Sequence, residues 1–189
     1  MLTESDRKAV RHSFRLVVPI ADTAADLFYK RLFELKPEYR RLFADDIAAQ
    51  KRKLLRMLAF IVKSLDYKDT EWRDDVPPEQ DLMLVVLALG RRHSDLYRIP
   101  SESYAVVAEA LLWTLDYGLG EAFTQEVRGA WTRLYTLLAQ TMRLGSTAID
   151  REGALRGAQQ ADRQGEEALL VSLAEAGIDE ARLGTEEPS

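Results

Sequence analysis

The chain contains no cysteine and only two histidines, His12 and His93. The first absence excludes disulfides, thiolate nucleophiles, zinc–thiolate sites and iron–sulfur clusters held by cysteine. The second means that any imidazole chemistry rests on one or two positions. Long apolar runs are also lacking, and none approaches the roughly 20 residues needed to span a bilayer. The opening residues, Met1-Leu2-Thr3-Glu4-Ser5-Asp6, lack the charged and apolar regions of a signal peptide. The expectation is therefore a cytoplasmic chain with no membrane partner. Positive charge is not in excess either. The net charge is −5, and residues 146–189 hold four Arg against ten Asp and Glu, leaving the body close to neutral. An almost neutral body with an acidic tail does not fit a nucleic-acid binder.

The 189 residues, 47% of them hydrophobic, suffice for one well-filled domain and an extension. The apolar spacing is helical nearly throughout, with no convincing strand alternation. Thr3 is placed to cap a first helix reaching about Val18, with Asp6 three positions on. Pro19 marks a junction and suits the first turn of a second helix, which carries Ala25, Leu27, Phe28, Tyr29, Leu32 and Phe33. Pro37 opens a short helical turn through Phe43. A long amphipathic helix is expected over 46–66, with Ile47, Leu54, Leu58, Ile61 and Leu65 on one side. Paired prolines break the pattern between Trp72 and Pro78. The next helix carries the apolar run from Leu82 to Leu89 and ends just after His93. Another starts at Pro100 and Ser101 and ends at Gly118 and Gly120. A last core helix spans Thr124 to about Leu144, with Val127, Trp131, Leu134, Leu138 and Met142 inward. Beyond Gly145 the composition shifts to Ala, Gln, Glu and Arg. Residues 166–176 suit either a short docking helix or a solvated extension. The division is 1–145 for the domain and 146–189 for an acidic, partly helical or disordered tail.

His93 follows the apolar run directly, in Gly90-Arg91-Arg92-His93. A haem iron that binds gas needs one neutral imidazole on one face and an open position on the other. Tyr29, Phe43, Gln50 and Leu54 form a second cluster able to build that open side. On spacing alone His93 is equally an ordinary helix histidine; the joint pattern favours the ligand. His12 lies in a charged segment with no such setting.

Five segments in order, Leu27 to Phe33, Pro37 to Phe43, Ala49 to Leu55, Leu89 to His93 and Ala130 to Tyr135, resemble the globin family. The likeness covers residues 1 to about 145. It is nearest to single-domain bacterial globins and the haem domain of flavohaemoglobins. It implies an all-α globin fold of helices A, B, C, E, F, G and H, with D short or absent, around a haem pocket. It implies haem b as cofactor and His93 as the axial iron ligand, with Leu89 packed one turn earlier. Tyr29 corresponds to the distal tyrosine, whose hydroxyl donates to bound dioxygen. Such a bond in a dry pocket is worth roughly 1–3 kcal/mol, or about ten- to hundredfold in ligand release. Gln50 corresponds to the second distal donor, Leu54 to the residue that limits the pocket, and Phe43 to the ring that wedges the haem. Tyr104 corresponds to a tyrosine that, with a glutamate, tunes the proximal histidine in flavohaemoglobins. The glutamate's position falls near Ser146, and no acid lies between Glu126 and Asp150, so this relay is incomplete. Lys51, Arg52, Lys53, Arg56, Arg91 and Arg92 are either solvated or partners for haem propionates.

The functions implied are reversible, tight binding of dioxygen and of other diatomic gases such as NO and CO, suited to storage or scavenging. The alternatives are nitric oxide dioxygenation with electrons from a separate reductase, since no dinucleotide fingerprint is present, and gas sensing through the tail. The oligomeric state is open.

Overall fold

A computed structural model describes residues 2–43, 46–65, 82–95 and 103–147. They form six α-helices: α1 (Glu4–Val17), α2 (Ala21–Leu35), α3 (Ile47–Ser64), α4 (Leu82–Asp95), α5 (Ser103–Leu119) and α6 (Gln125–Thr147). Short stretches of tighter helix lie at Val18–Ile20, Pro37–Phe43 and Gly120–Ala122. Among the described residues there is no strand. The all-α globin architecture expected from the sequence is the one observed. The paired-proline break before Pro78 and the possible helix over 166–176 lie outside the described residues.

The sequence sets each boundary chemically. Thr3 Oγ1 accepts from the Asp6 N–H at 3.1 Å, and Asp6 Oδ2 accepts from the Thr3 N–H at 2.9 Å. This reciprocal capping box satisfies two of the orphan donors that open α1. Pro19, which has no N–H to lose, sits within the Val18–Ile20 turn joining α1 to α2. Asp46 caps α3 by accepting from the Ala49 N–H at 2.8 Å. Helix α5 runs through Gly118 to Leu119, and Gly120, at φ 53°, is the glycine that ends it. That backbone is left-handed and strained for any residue with a Cβ.

Residues three and four apart are buried along each helix, as expected of an apolar stripe facing a shared core. In α6 these are Ala130, Trp131, Leu134, Leu138 and Met142. Helix α6 is the frame. It holds α1 through Asp6, whose carboxylate pairs with the Arg133 guanidinium, and through Trp131 Nε1, which donates to Ser13 Oγ at 2.9 Å. It holds α4 by direct backbone approach at two glycines. A Cβ added at Gly90 would lie 2.5 Å from the Met142 Cα, and one at Gly145 would lie 2.9 Å from the Leu87 carbonyl carbon. No side chain fits at either place.

The seam generates a stability prediction. Gly90→Ala and Gly145→Ala each force two backbones apart, and the expected loss is about 2 kcal/mol or more, read as a lower midpoint in urea. Gly118→Ala is the control. Its added methyl meets only the Ile20 Cδ1, at an ordinary 3.4 Å, and Ala is the better helix former, so that variant keeps or gains stability.

The Arg133 side chain beside Asp6 holds this carboxyl low, at about 2 against its ordinary 3.8, although burial opposes the shift. A depressed carboxylate pKa contributes stability that is complete above about pH 4 and lost as pH falls towards 2. Acid unfolding followed by circular dichroism is expected to show that loss, and Asp6→Asn is expected to flatten the pH dependence in the same window.

Candidate functional site

Two helices and one turn bring the expected distal residues together. Helix α2 supplies Tyr29, the Pro37–Phe43 turn supplies Phe43, and the first turns of α3 supply Gln50 and Leu54. The Tyr29 ring is buried and sits in aromatic contact with Phe28 at 5.1 Å, Phe43 at 5.4 Å and Phe33 at 5.9 Å. The first two contacts are edge-to-face, the arrangement that ring quadrupoles favour. The Tyr29 hydroxyl donates to the backbone carbonyl of Gln50 at 3.2 Å. The bond is to the main chain and not to the Gln50 side-chain amide. Gln50 and Leu54 are half-buried and one turn apart, so they share a face of α3.

Burial in this apolar surround pushes the Tyr29 hydroxyl up to about 12. It is therefore a neutral O–H donor at any ordinary pH, with one proton to give.

On the other side, His93 lies in the last turns of α4, and its side chain is outside the described residues. Leu89, one turn earlier, is half-buried and packs against the core. Tyr104 is buried at the start of α5. Its carbonyl accepts the Tyr135 hydroxyl at 2.7 Å, and the Arg143 guanidinium lies 5.7 Å from its ring. Burial raises the Tyr104 hydroxyl, with Arg143 opposing the shift. Burial also raises Tyr135. Sequence reasoning missed Arg143 and Tyr135 as neighbours of Tyr104. Both lie on α6, and Arg143 is one turn before Ser146, so their helix and register were in view while their orientation was not. Lys51, one of the basic residues of α3, is ion-paired with Asp26.

The residues present fit a flat apolar cofactor. Helix α3 packs mainly on α2, while α4 leans on α6; the two do not pack closely on each other. Leu54 on α3 and Leu89 on α4 are only partly covered, as is Phe43. An iron porphyrin is a group that such partly covered apolar side chains on two helices would suit, and His93 on α4 would be its nitrogen donor. Among the described residues no cluster of three or more His, Asp or Glu could hold a bare metal ion.

Comparison with known proteins bears on the same segments. The globin family model matches residues 26–142. Neuroglobin of Chaenocephalus aceratus is 28% identical over 151 residues, covering 76% of this chain and 92% of that protein. Neuroglobin of Danio rerio is 28% identical over 150 residues with the same coverage. The flavohemoprotein of Vibrio cholerae serotype O1 is 29% identical over 158 residues, covering 82% of this chain but 36% of that protein.

A raised tyrosine pKa contributes stability below the ordinary value near 10 and loses it as pH rises towards 12. Alkaline unfolding is expected to set in across that window. Tyr29→Phe, which cannot ionise, is expected to move the onset upward.

Proposed function

The chain belongs to the globin family, and from that premise we propose that it carries haem b and binds dioxygen reversibly, along with NO and CO. The family brings haem-based gas binding; the identity of the residues is the proposal. The observation that carries it is the buried Tyr29 hydroxyl held against the first turns of α3, beside Phe43 and within a turn of Leu54. In this reading residues 1–145 are the haem domain, and residues 146–189 are an accessory acidic tail.

When bound, haem supplies a ferrous iron with one open position for a diatomic gas. His93, on α4, would hold the iron through a ring nitrogen. The α4–α6 seam fixes the helix that carries it. Phe43, at the corner before α3, would pack against the porphyrin. Leu54 excludes water from the gas side, which strengthens any hydrogen bond made there. Tyr29 is the donor to a polar gas. Its single proton points to the Gln50 carbonyl, so donating elsewhere exchanges one bond for another. The net gain is then smaller than that of a free donor, at about 1 kcal/mol. The Gln50 amide is the second donor from the same turn.

One feature favours binding over oxygen activation. Tyr104 has a cationic neighbour, Arg143, and the position of the flavohaemoglobin acid falls near Ser146, one turn further along α6. A proximal imidazole without an acidic partner stays neutral and pushes less electron density to iron. The similarity to a flavohemoprotein supports nitric oxide dioxygenation as the second reading, with a separate reductase supplying electrons.

The rate of dioxygen release measured by stopped flow separates the roles. Tyr29→Phe is expected to release dioxygen about fivefold faster, the effect of about 1 kcal/mol at roughly 1.4 kcal/mol per tenfold. An unchanged rate would remove Tyr29 from the ligand contacts. For the second reading, sustained nitric oxide consumption with an added reductase supports turnover, and a single stoichiometric burst excludes it.

A further inference from the structure

A cavity of about 590 Å³ lies where α1 turns into α2, walled also by residues of α3, α5 and α6. Its floor is apolar and buried, formed among others by Ala25, Phe28, Leu111 and Leu115. Its mouth lies at the α1–α2 corner, where Pro19, Asp22 and Thr23 are exposed. Four alanines create the space: Ala21, Ala24, Ala25 and Ala59 all line it, at positions where larger side chains would fill it.

The interior makes no demand for water. The two polar groups in its deeper wall are already satisfied: Trp131 Nε1 donates to Ser13 Oγ, and Thr114 Oγ1 donates to the Ala110 carbonyl at 2.8 Å. Ordered water needs two or more polar partners, and a cavity lined by aliphatic and aromatic groups stays dry and takes apolar guests. Wall atoms facing a void also forfeit dispersion contacts that a guest would restore. The volume selects the guest. A cavity of about 150 Å³ accepts benzene, and pockets of roughly 300–1,000 Å³ accept ordinary small molecules. This space is far larger than a diatomic gas requires. The carboxylate of Asp22 at the mouth disfavours an anionic head group on any guest.

We propose that this cavity is a binding site for an uncharged, small hydrophobic molecule of about two fused or linked rings, or a branched hydrocarbon of similar bulk. The site is separate from the gas position but shares a wall with it. Leu54 lines the cavity, and Phe28 lies between the cavity and Tyr29. Binding itself does not depend on the haem assignment.

The test is a titration of the full chain with naphthalene, followed by methyl-resolved NMR in the reduced, CO-bound haem form. Saturable one-to-one shifts are expected at the methyls of Val17, Ile20, Leu58, Leu111 and Leu115. The carboxylated analogue 2-naphthoate is expected to bind at least tenfold more weakly. Ala59→Phe, which fills the cavity, is expected to lose at least tenfold in affinity while keeping its circular dichroism. Ala21→Phe, at the rim, serves the same purpose should the first variant fold poorly. Absence of saturable shifts, shifts confined to residues around Tyr29, equal binding of 2-naphthoate, or response to xenon but not to naphthalene would each overturn the proposal. A chain that takes up no haem is titrated haem-free, so failure of this site and failure of the haem assignment give different results.

Discussion

The closest constraint in the molecule is the contact between the backbones of α4 and α6, made possible because Gly90 and Gly145 carry no side chain. Each glycine sits against the main chain of the other helix, at Met142 and Leu87 respectively, so the contact is reciprocal and admits little sliding. Helix α6 is itself anchored to α1 by the Asp6–Arg133 ion pair and the Trp131–Ser13 hydrogen bond. A helix carrying the candidate ligand His93 is thus hung on a frame rather than on the opposite wall. Helix α3 packs on α2 instead, and α3 and α4 make little direct contact with each other.

The gas side solves a different problem. A hydroxyl in an aromatic nest costs free energy unless it has a partner, and Tyr29 finds one in a carbonyl of α3. That bond orients the hydroxyl and ties α2 to α3, while burial keeps the group neutral. The same burial makes the tyrosine a stability determinant at high pH. In the proposed function the same group would both pack two helices and meet the ligand, so a substitution there is expected to be felt in both.

The fold was legible in the sequence wherever local chemistry decides it. Thr3 and Asp6 announce their capping box, Pro19 its junction, and the repeats of apolar residues in α3 and α6 their buried faces. The candidate site was legible as a set of residue types in order, because Tyr29, Phe43 and Gln50 belong to segments whose spacing is characteristic. What could not be read depends on atoms that side-chain identity does not encode. The Tyr29 partner is a main-chain carbonyl, and every residue has one. Gly90 and Gly145 are 55 residues apart along the chain, and a glycine's need for space is visible only once its neighbour is known. Arg143 meets Tyr104 through the rotation of α6, and Gly118, expected to end α5, lies within it while Gly120 supplies the left-handed turn. The cavity beneath the α1–α2 corner is a property of four alanines from two helices, none of which is unusual alone.

The central claim is that His93 on α4 and the Tyr29 cluster on α2 and α3 face each other across one haem. The absorption spectrum of the haem-loaded, reduced protein, followed over time after exposure to air, tests it most directly. The account predicts a strong Soret band, conversion to a stable oxygenated spectrum, and loss of that behaviour in His93→Ala. A protein that takes up no haem, or whose spectrum is unchanged by loss of His93, would contradict it.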